Sequence, residues 1–268
     1  MTDITYHARS WDELLHDVRT LPTNKGWKKC ASKETDKDEA GWYGSANLDE
    51  AVKLAEQGVP ALREELFAAV ARQKMEAAPV WDIAPVGVFP CIPAKAVGIP
   101  ENMFLPIDDG MNAPKPIIRI YMNVSAGAHT STKQIMNRGA AIVNLIDSIE
   151  GDGLRRVELV AVCNSQNRSG GNKRNLFSVV VKRADENLDW GRVSFAIAHP
   201  SFLRRLMFRI QEIVSPYYDE CYGTPTNYKD AYPDADAYIP SIKDERELHD
   251  TKESSMKRIT QLWNEVAA

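Results

Sequence analysis

The chain has 268 residues, 44% hydrophobic and 26% charged, with 15 Gly and 15 Pro. That composition suits a folded protein with one sizeable core, and no apolar run reaches the roughly 18 residues that a membrane-crossing helix needs. The net charge of −4 excludes duplex DNA binding driven by overall charge and leaves room only for a local basic patch.

Cys30, Cys91, Cys163 and Cys221 are scattered, with no C-x-x-C pair. This excludes a disulfide-built miniprotein and a ribbon-type zinc site, and a reduced, cytoplasmic setting is expected. The start of the chain has no apolar h-region, so a secretory signal is not expected.

In chain order, Ser10 and Glu13 form a capping box. Trp11, Leu14, Leu15 and Val18 then recur at helical spacing, which predicts an amphipathic helix that stops at Leu21-Pro22. Residues 30–41 are charged and lack apolar periodicity, so an exposed loop is expected. Asn47 or Ser45 can cap a helix through Leu48, Val52, Leu54 and Ala55. Gly58-Val59-Pro60 breaks it, and Pro60 starts a second helix to about Met75. The charges of that helix (Arg63, Glu64, Glu65, Arg72, Lys74) are balanced, which does not suit a DNA-reading helix.

Residues 79–116 contain eight prolines. Short strands fit there and long helices do not, so a small irregular β segment with a hairpin or two is expected, with a turn at Asp108-Asp109-Gly110. From Ile117 the pattern changes. Ile117, Ile118, Ile120, Tyr121, Met122 and Val124 predict a strand covered on both faces. A small polar turn follows, and then a helix with Ile135, Met136, Ala140, Val143, Ile146 and Ile149 on its apolar side. RRVELVAVCNS is a second strand, QNRSGGNKRN a polar loop, and LFSVVVKR a third strand. Residues 190–214 begin as strand or helix and end as a helix after His199-Pro200. Strand, helix, strand at this spacing predicts a parallel crossover. The Tyr- and Pro-rich stretch from Pro216 is expected to wrap the domain with its tyrosine rings buried and hydroxyls wet, and a helix carrying Met256, Ile259, Leu262, Trp263 and Val266 ends the chain. Four segments result: a helical region (1–78), a Pro-rich β linker (79–116), an α/β core (117–215) and a tail with a terminal helix (216–268).

Three clusters are candidates for a site. The first is the turn after the best strand: Asn123, Ser125, Thr130, Ser131 and Thr132. Ligands of parallel α/β sheets sit at the carboxyl ends of strands, and hydroxyls with free amides at a helix N-terminus suit an anion. A simple capped turn is the alternative. The second is the loop with Arg168, Lys173, Arg174 and Asn175, where cations and amides can grip phosphates and read bases or merely be solvated. The third is Arg204 and Arg205, on the first turns of a helix where the dipole prefers acids. Their placement predicts a buried carboxylate or a ligand anion as partner. No Walker loop, dinucleotide fingerprint, closely spaced His set or acidic cluster at strand ends is present, so no catalytic residue and no metal ligand is named.

The layout of residues 117–214 resembles von Willebrand factor A (vWA) domains, in which a strand ends in Asp-x-Ser-x-Ser and a long helix follows. Ser125 matches. Asn123 stands where that family has the aspartate and Gly127 where it has the second serine, so magnesium or manganese loses its carboxylate. A set of motifs, including Trp42–Gly58, N-V-S-A-G, R-G-A-A-I at Arg138–Ile142 and A-H-P-S-F-L-R-R-L-M-F at Ala198–Phe208, is similar to a widespread group of tailed-phage proteins. That resemblance implies the cytoplasm of an infected bacterium and supplies no reaction. The expectation is an α/β, vWA-like parallel or mixed sheet flanked by helices. Its rim would engage a phage or host protein, or single-stranded nucleic acid, as a non-enzymatic adaptor. The alternatives are a metal-dependent cofactor of an AAA+ ATPase or an enzyme with an unrecognised site.

Overall fold

In the computed structural model, which describes residues 3–27, 30–71, 81–106, 115–151, 153, 155–167, 173–216 and 222–267, the chain opens with a strand, β1 (Ile4–Ala8). The sequence reading does not contain it, because five residues are too short to show a period. Helix α1 (Trp11–Thr20) follows as expected: the Ser10 side chain accepts from the Glu13 N–H, and Trp11, Leu14, Leu15 and Val18 are buried. Residues 30–41 are not a plain loop. They contain a 3-10 turn at Cys30–Ser32 and most of helix α2 (Lys37–Tyr43). The cause lies far along the chain, where Arg205 donates to the carbonyls of Ala31 and Lys33.

Asn47 caps α3 (Leu48–Gln57) through the Glu50 N–H. Gly58 takes a positive φ of +74° and turns the chain into α4 (Pro60–Ala71). The expected extension to Met75 lies outside the described residues, as does the turn at Asp108–Gly110. The Pro-rich segment holds a separate antiparallel sheet, in which β2 (Trp81–Ala84) and β3 (Phe89–Pro90) both pair with β4 (Met103–Pro106). Helix α5 (Ile92–Ala96) lies between β3 and β4 in the chain.

The main sheet starts from β5 (Ile117–Asn123), α6 (Thr132–Glu150) and β6 (Arg156–Asn167). The two strands pair in parallel from Ile117–Arg156 to Asn123–Val162, as the crossover requires. β7 (Lys173–Lys182) returns antiparallel to β6, which makes the sheet mixed. Residues 190–214 are helical on both sides of an extended His199: α7 (Trp190–Ala198) before it, and a π-helical stretch (Phe202–Met207) and α8 (Phe208–Val214) after it. The tail adds β8 (Thr224–Pro225) against β6 and β9 (Ala237–Ile239) parallel to β5, and α9 (Lys252–Ala267) follows. The strand order is β1–β7–β6–β5–β9, with β8 off this path.

Strand alternation sorts side chains between two faces. Ile120, Met122, Leu159, Ala161, Phe177 and Val179 join the helices in the main core. Val160, Val162 and Tyr238 form a second cluster, packed by Tyr121, Val180 and Tyr232. The tail therefore covers the face that the helices leave. Among the described residues no helix is long and apolar enough to cross a membrane.

Candidate functional site

At the carboxyl ends of β5 and β6 the polar side chains are numerous, but they face inward. Asn123 is fully buried on the face that the tail covers. Its Nδ2 donates to the Thr226 carbonyl (2.9 Å), Asn227 Oδ1 (3.1 Å) and the Tyr238 hydroxyl (3.1 Å), and its Oδ1 accepts from the Ser125 N–H (3.1 Å). Ser125 Oγ donates to the Asn164 carbonyl and accepts from the Asn164 N–H, both at 2.8 Å. Asn164 is closed in turn by the Tyr232 hydroxyl (2.6 Å) and by Tyr238 (3.3 Å). These tyrosine hydroxyls are bonded to asparagines rather than wet, which corrects the expectation for the tail.

The expectation of an open rim is corrected as well. Asn123, Ser125 and Thr130 are buried. Ser131 is exposed but serves as the N-cap of α6, accepting from the Gln134 N–H, and Thr132 is half-buried at the first residue of that helix. The oxygens that a cation would need on Asn123 and Ser125 are committed within the protein. Among the described residues no group of three or more His, Cys, Asp or Glu could hold a metal ion.

The expected phosphate grip is not assembled among the described residues either. Arg168 lies outside them, and Lys173 is half-buried. Arg174 pairs with Asp3 (2.6 Å) and Asp230 (2.8 Å), and Asn175 is buried with its Nδ2 on Ser165 Oγ. Arg204 and Arg205 do have partners within the protein, and no described carboxylate is among them. Arg204 donates to the carbonyls of Trp42 (2.6 Å) and Thr130 (2.8 Å) and lies over the Trp42 ring. Arg205 donates to the carbonyls of Ala31, Lys33, Ser45 and Ala46 and to Thr35 Oγ1, and stacks on Tyr43.

A guanidinium carries five N–H donors in a fixed fork, so one side chain can satisfy several loop carbonyls that have no ladder partner. Arg209 does the same for the Val18 and Leu21 carbonyls at the end of α1, and Arg138 for those of Asn123 and Pro240. Burial lowers the Arg204 pKa to about 10, which still leaves it charged at neutral pH.

Burial moves two ionisable groups here away from neutrality. Burial raises the Cys163 thiol to about 11, so it is protonated at neutral pH. Burial also lowers His199 to about 4, and its Nδ1 accepts from the Ser201 N–H. Neither matches the near-neutral pKa that acid–base work favours.

The surface feature that stands out lies in the Pro-rich segment. Eleven large apolar side chains are exposed among the described residues, and seven of them fall between Ile83 and Ile99. Val86 (77% exposed), Val97 (73%), Val88 and Ile92 (66% each) are the most open. Residues 83–100 contain one charged side chain, Lys95. Scattered exposed apolar residues are ordinary, whereas a concentration of them marks an interaction surface. From the sequence this stretch is expected to be a Pro-rich β linker. The signal that could have found it is the near-absence of charge, since a solvated linker is polar.

A family model described as a domain of unknown function (DUF7192) matches residues 2–264. No curated protein and no solved structure matches the chain.

Proposed function

Because the chain belongs to the DUF7192 family, whose description assigns no activity, we propose from the chemistry of its surface that the protein is a non-enzymatic adaptor. Its partner is a protein that offers an uncharged, apolar face to residues 86–99. The observation that carries this reading is the cluster of Val86, Val88, Ile92 and Val97, each about two-thirds exposed or more, in a stretch with a single charge. Such a surface has nothing to offer an acidic partner, and burying it is worth roughly 25 cal/mol per Å² of apolar area.

The motif resemblance to tailed-phage proteins supports a phage or host protein as that partner, in the cytoplasm of an infected bacterium. The order of β5, α6, β6 and the returning β7 supports the vWA-like reading of the core. Single-stranded nucleic acid is the weaker partner, because Arg174 is held by two aspartates and Arg204 and Arg205 are buried. A metal-dependent partner of an ATPase is weaker still, since Asn123 and Ser125 have no oxygen to spare.

The test replaces Val86, Val88 and Val97 together by Asp and compares the variant with the parent chain in capture from infected-cell lysate, read by mass spectrometry. The side chains are exposed, so the melting temperature should barely move. A protein held by the parent, lost by the variant, and rebound in purified form is the expected result. Equal retention by both chains would overturn the proposal. Salt-sensitive binding of a single-stranded oligonucleotide, abolished by Lys173→Ala with Arg174→Ala, would move the assignment to nucleic acid.

A further inference from the structure

A cavity of about 170 Å³ lies at the carboxyl edge of β5 and β6, beneath Trp42. Cavities of roughly 150 Å³ admit a benzene ring. The walls include Trp42, Ala126, Cys163, Leu203, Phe208 and Tyr222, and among the described residues the only charged side chain lining the space is Arg204. Phe208 and Tyr222 stack on each other with centroids 3.7 Å apart and planes 7° apart, and Trp27 stacks on Tyr222, so this part of the wall is a fixed aromatic group.

The unusual element is Arg204. It is 1% exposed, and both of its hydrogen bonds end on neutral carbonyls. No described carboxylate is paired with it, unlike Arg209, which lies 3.7 Å from Glu212. Buried charges in proteins are normally compensated. Here the positive group, which also lies over the Trp42 ring, lines an apolar cavity, and its other N–H donors have no hydrogen-bond partner among the described residues. The edge is also the one where open α/β sheets place their ligands.

We infer that this cavity binds a small monocarboxylate with a flat, apolar body. The ring would lie against the Phe208–Tyr222 stack, and the carboxylate would take the remaining donors of Arg204. Charge-assisted bonds to a guanidinium are the strong ones, so the anion and its neutral isostere should differ clearly. The inference is independent of the partner surface at residues 86–99, and either can fail alone.

The experiment uses the full chain and 4-fluorobenzoate as probe, with 4-fluorobenzamide and 4-fluorobenzylamine as neutral and cationic controls. Binding is followed by fluorine NMR. Saturable binding of the benzoate is expected, about tenfold or more tighter than the benzamide, with no binding of the amine. Ala126→Leu, which fills the cavity from its wall, should abolish it. Should that variant fail to fold, contacts between probe ring protons and the Leu203 methyls of the parent chain, seen as nuclear Overhauser effects, give the same test. Equal affinity for benzoate and benzamide, binding unchanged in a folded Ala126→Leu protein, or no saturable binding of the benzoate would each overturn the inference.

Discussion

Arg205 is the residue on which most of the irregular chain depends. It is fully buried and reaches five acceptors across residues 31–46. Leaving buried acceptors unpaired costs about 1–3 kcal/mol each until water or repacking intervenes. Arg205→Lys keeps the charge but replaces the fork with a single donor point, so it should not rescue. We expect both Arg205→Lys and Arg205→Ala to lose about 3 kcal/mol or more in chemical denaturation. A loss below about 1 kcal/mol would mean that residues 31–46 hold themselves in place. The paired arginines are conspicuous in the sequence as misplaced charges. Their need for partners was legible, but the partner type was not, because carbonyls carry no sequence signature.

At the scale of elements, α6 and α7 meet through glycine. A Cβ placed on Gly139 would lie 2.4 Å from Ala198 Cβ, 2.9 Å from its Cα and 3.0 Å from the Ile197 carbonyl oxygen. Two effects then oppose each other in Gly139→Ala. Alanine favours the helix by about 1 kcal/mol, while forcing an extra methyl into a packed contact costs typically 1–3 kcal/mol. Two of the three obstacles are backbone, which gives little, so packing should win. A net destabilisation of about 1–2 kcal/mol is expected from urea unfolding, and a neutral or stabilised variant would show that the helices slide apart freely. The elements themselves were readable where a local rule applied. Ser10 caps the helix that its position foretells, Asn47 rather than Ser45 caps α3, and Pro60 opens α4. α2 and β1 escaped because one is held by a distant arginine and the other is too short for a period.

For the whole molecule, the tail is a structural layer. β9 pairs with β5, Tyr232 and Tyr238 close Asn164, and Ile259 of α9 enters the main core. A chain ending at Ser215 would bare Asn123, Asn164 and the second face of the sheet. We expect it to show no cooperative thermal transition and to lose its near-ultraviolet circular dichroism. A cooperative melt would instead show that residues 1–215 fold without the tail.

The sequence alone determined the α/β class, the parallel crossover at β5–α6–β6 and the cap of α1, and it narrowed the cap of α3 to Asn47 or Ser45, because each follows from periodicity or from groups within a few residues of one another. It also placed small polar residues at the end of β5. Only the tertiary structure decided that these residues point inward. Residues 226–241 and 164 come from far along the chain to bond them, and no local pattern records which distant carbonyl, amide or tyrosine will arrive. The same long-range packing left Val86, Val88, Ile92 and Val97 uncovered while burying Arg204 beside an apolar cavity. Exposure is a property of the assembled surface, so the candidate sites became visible only once the chain had folded.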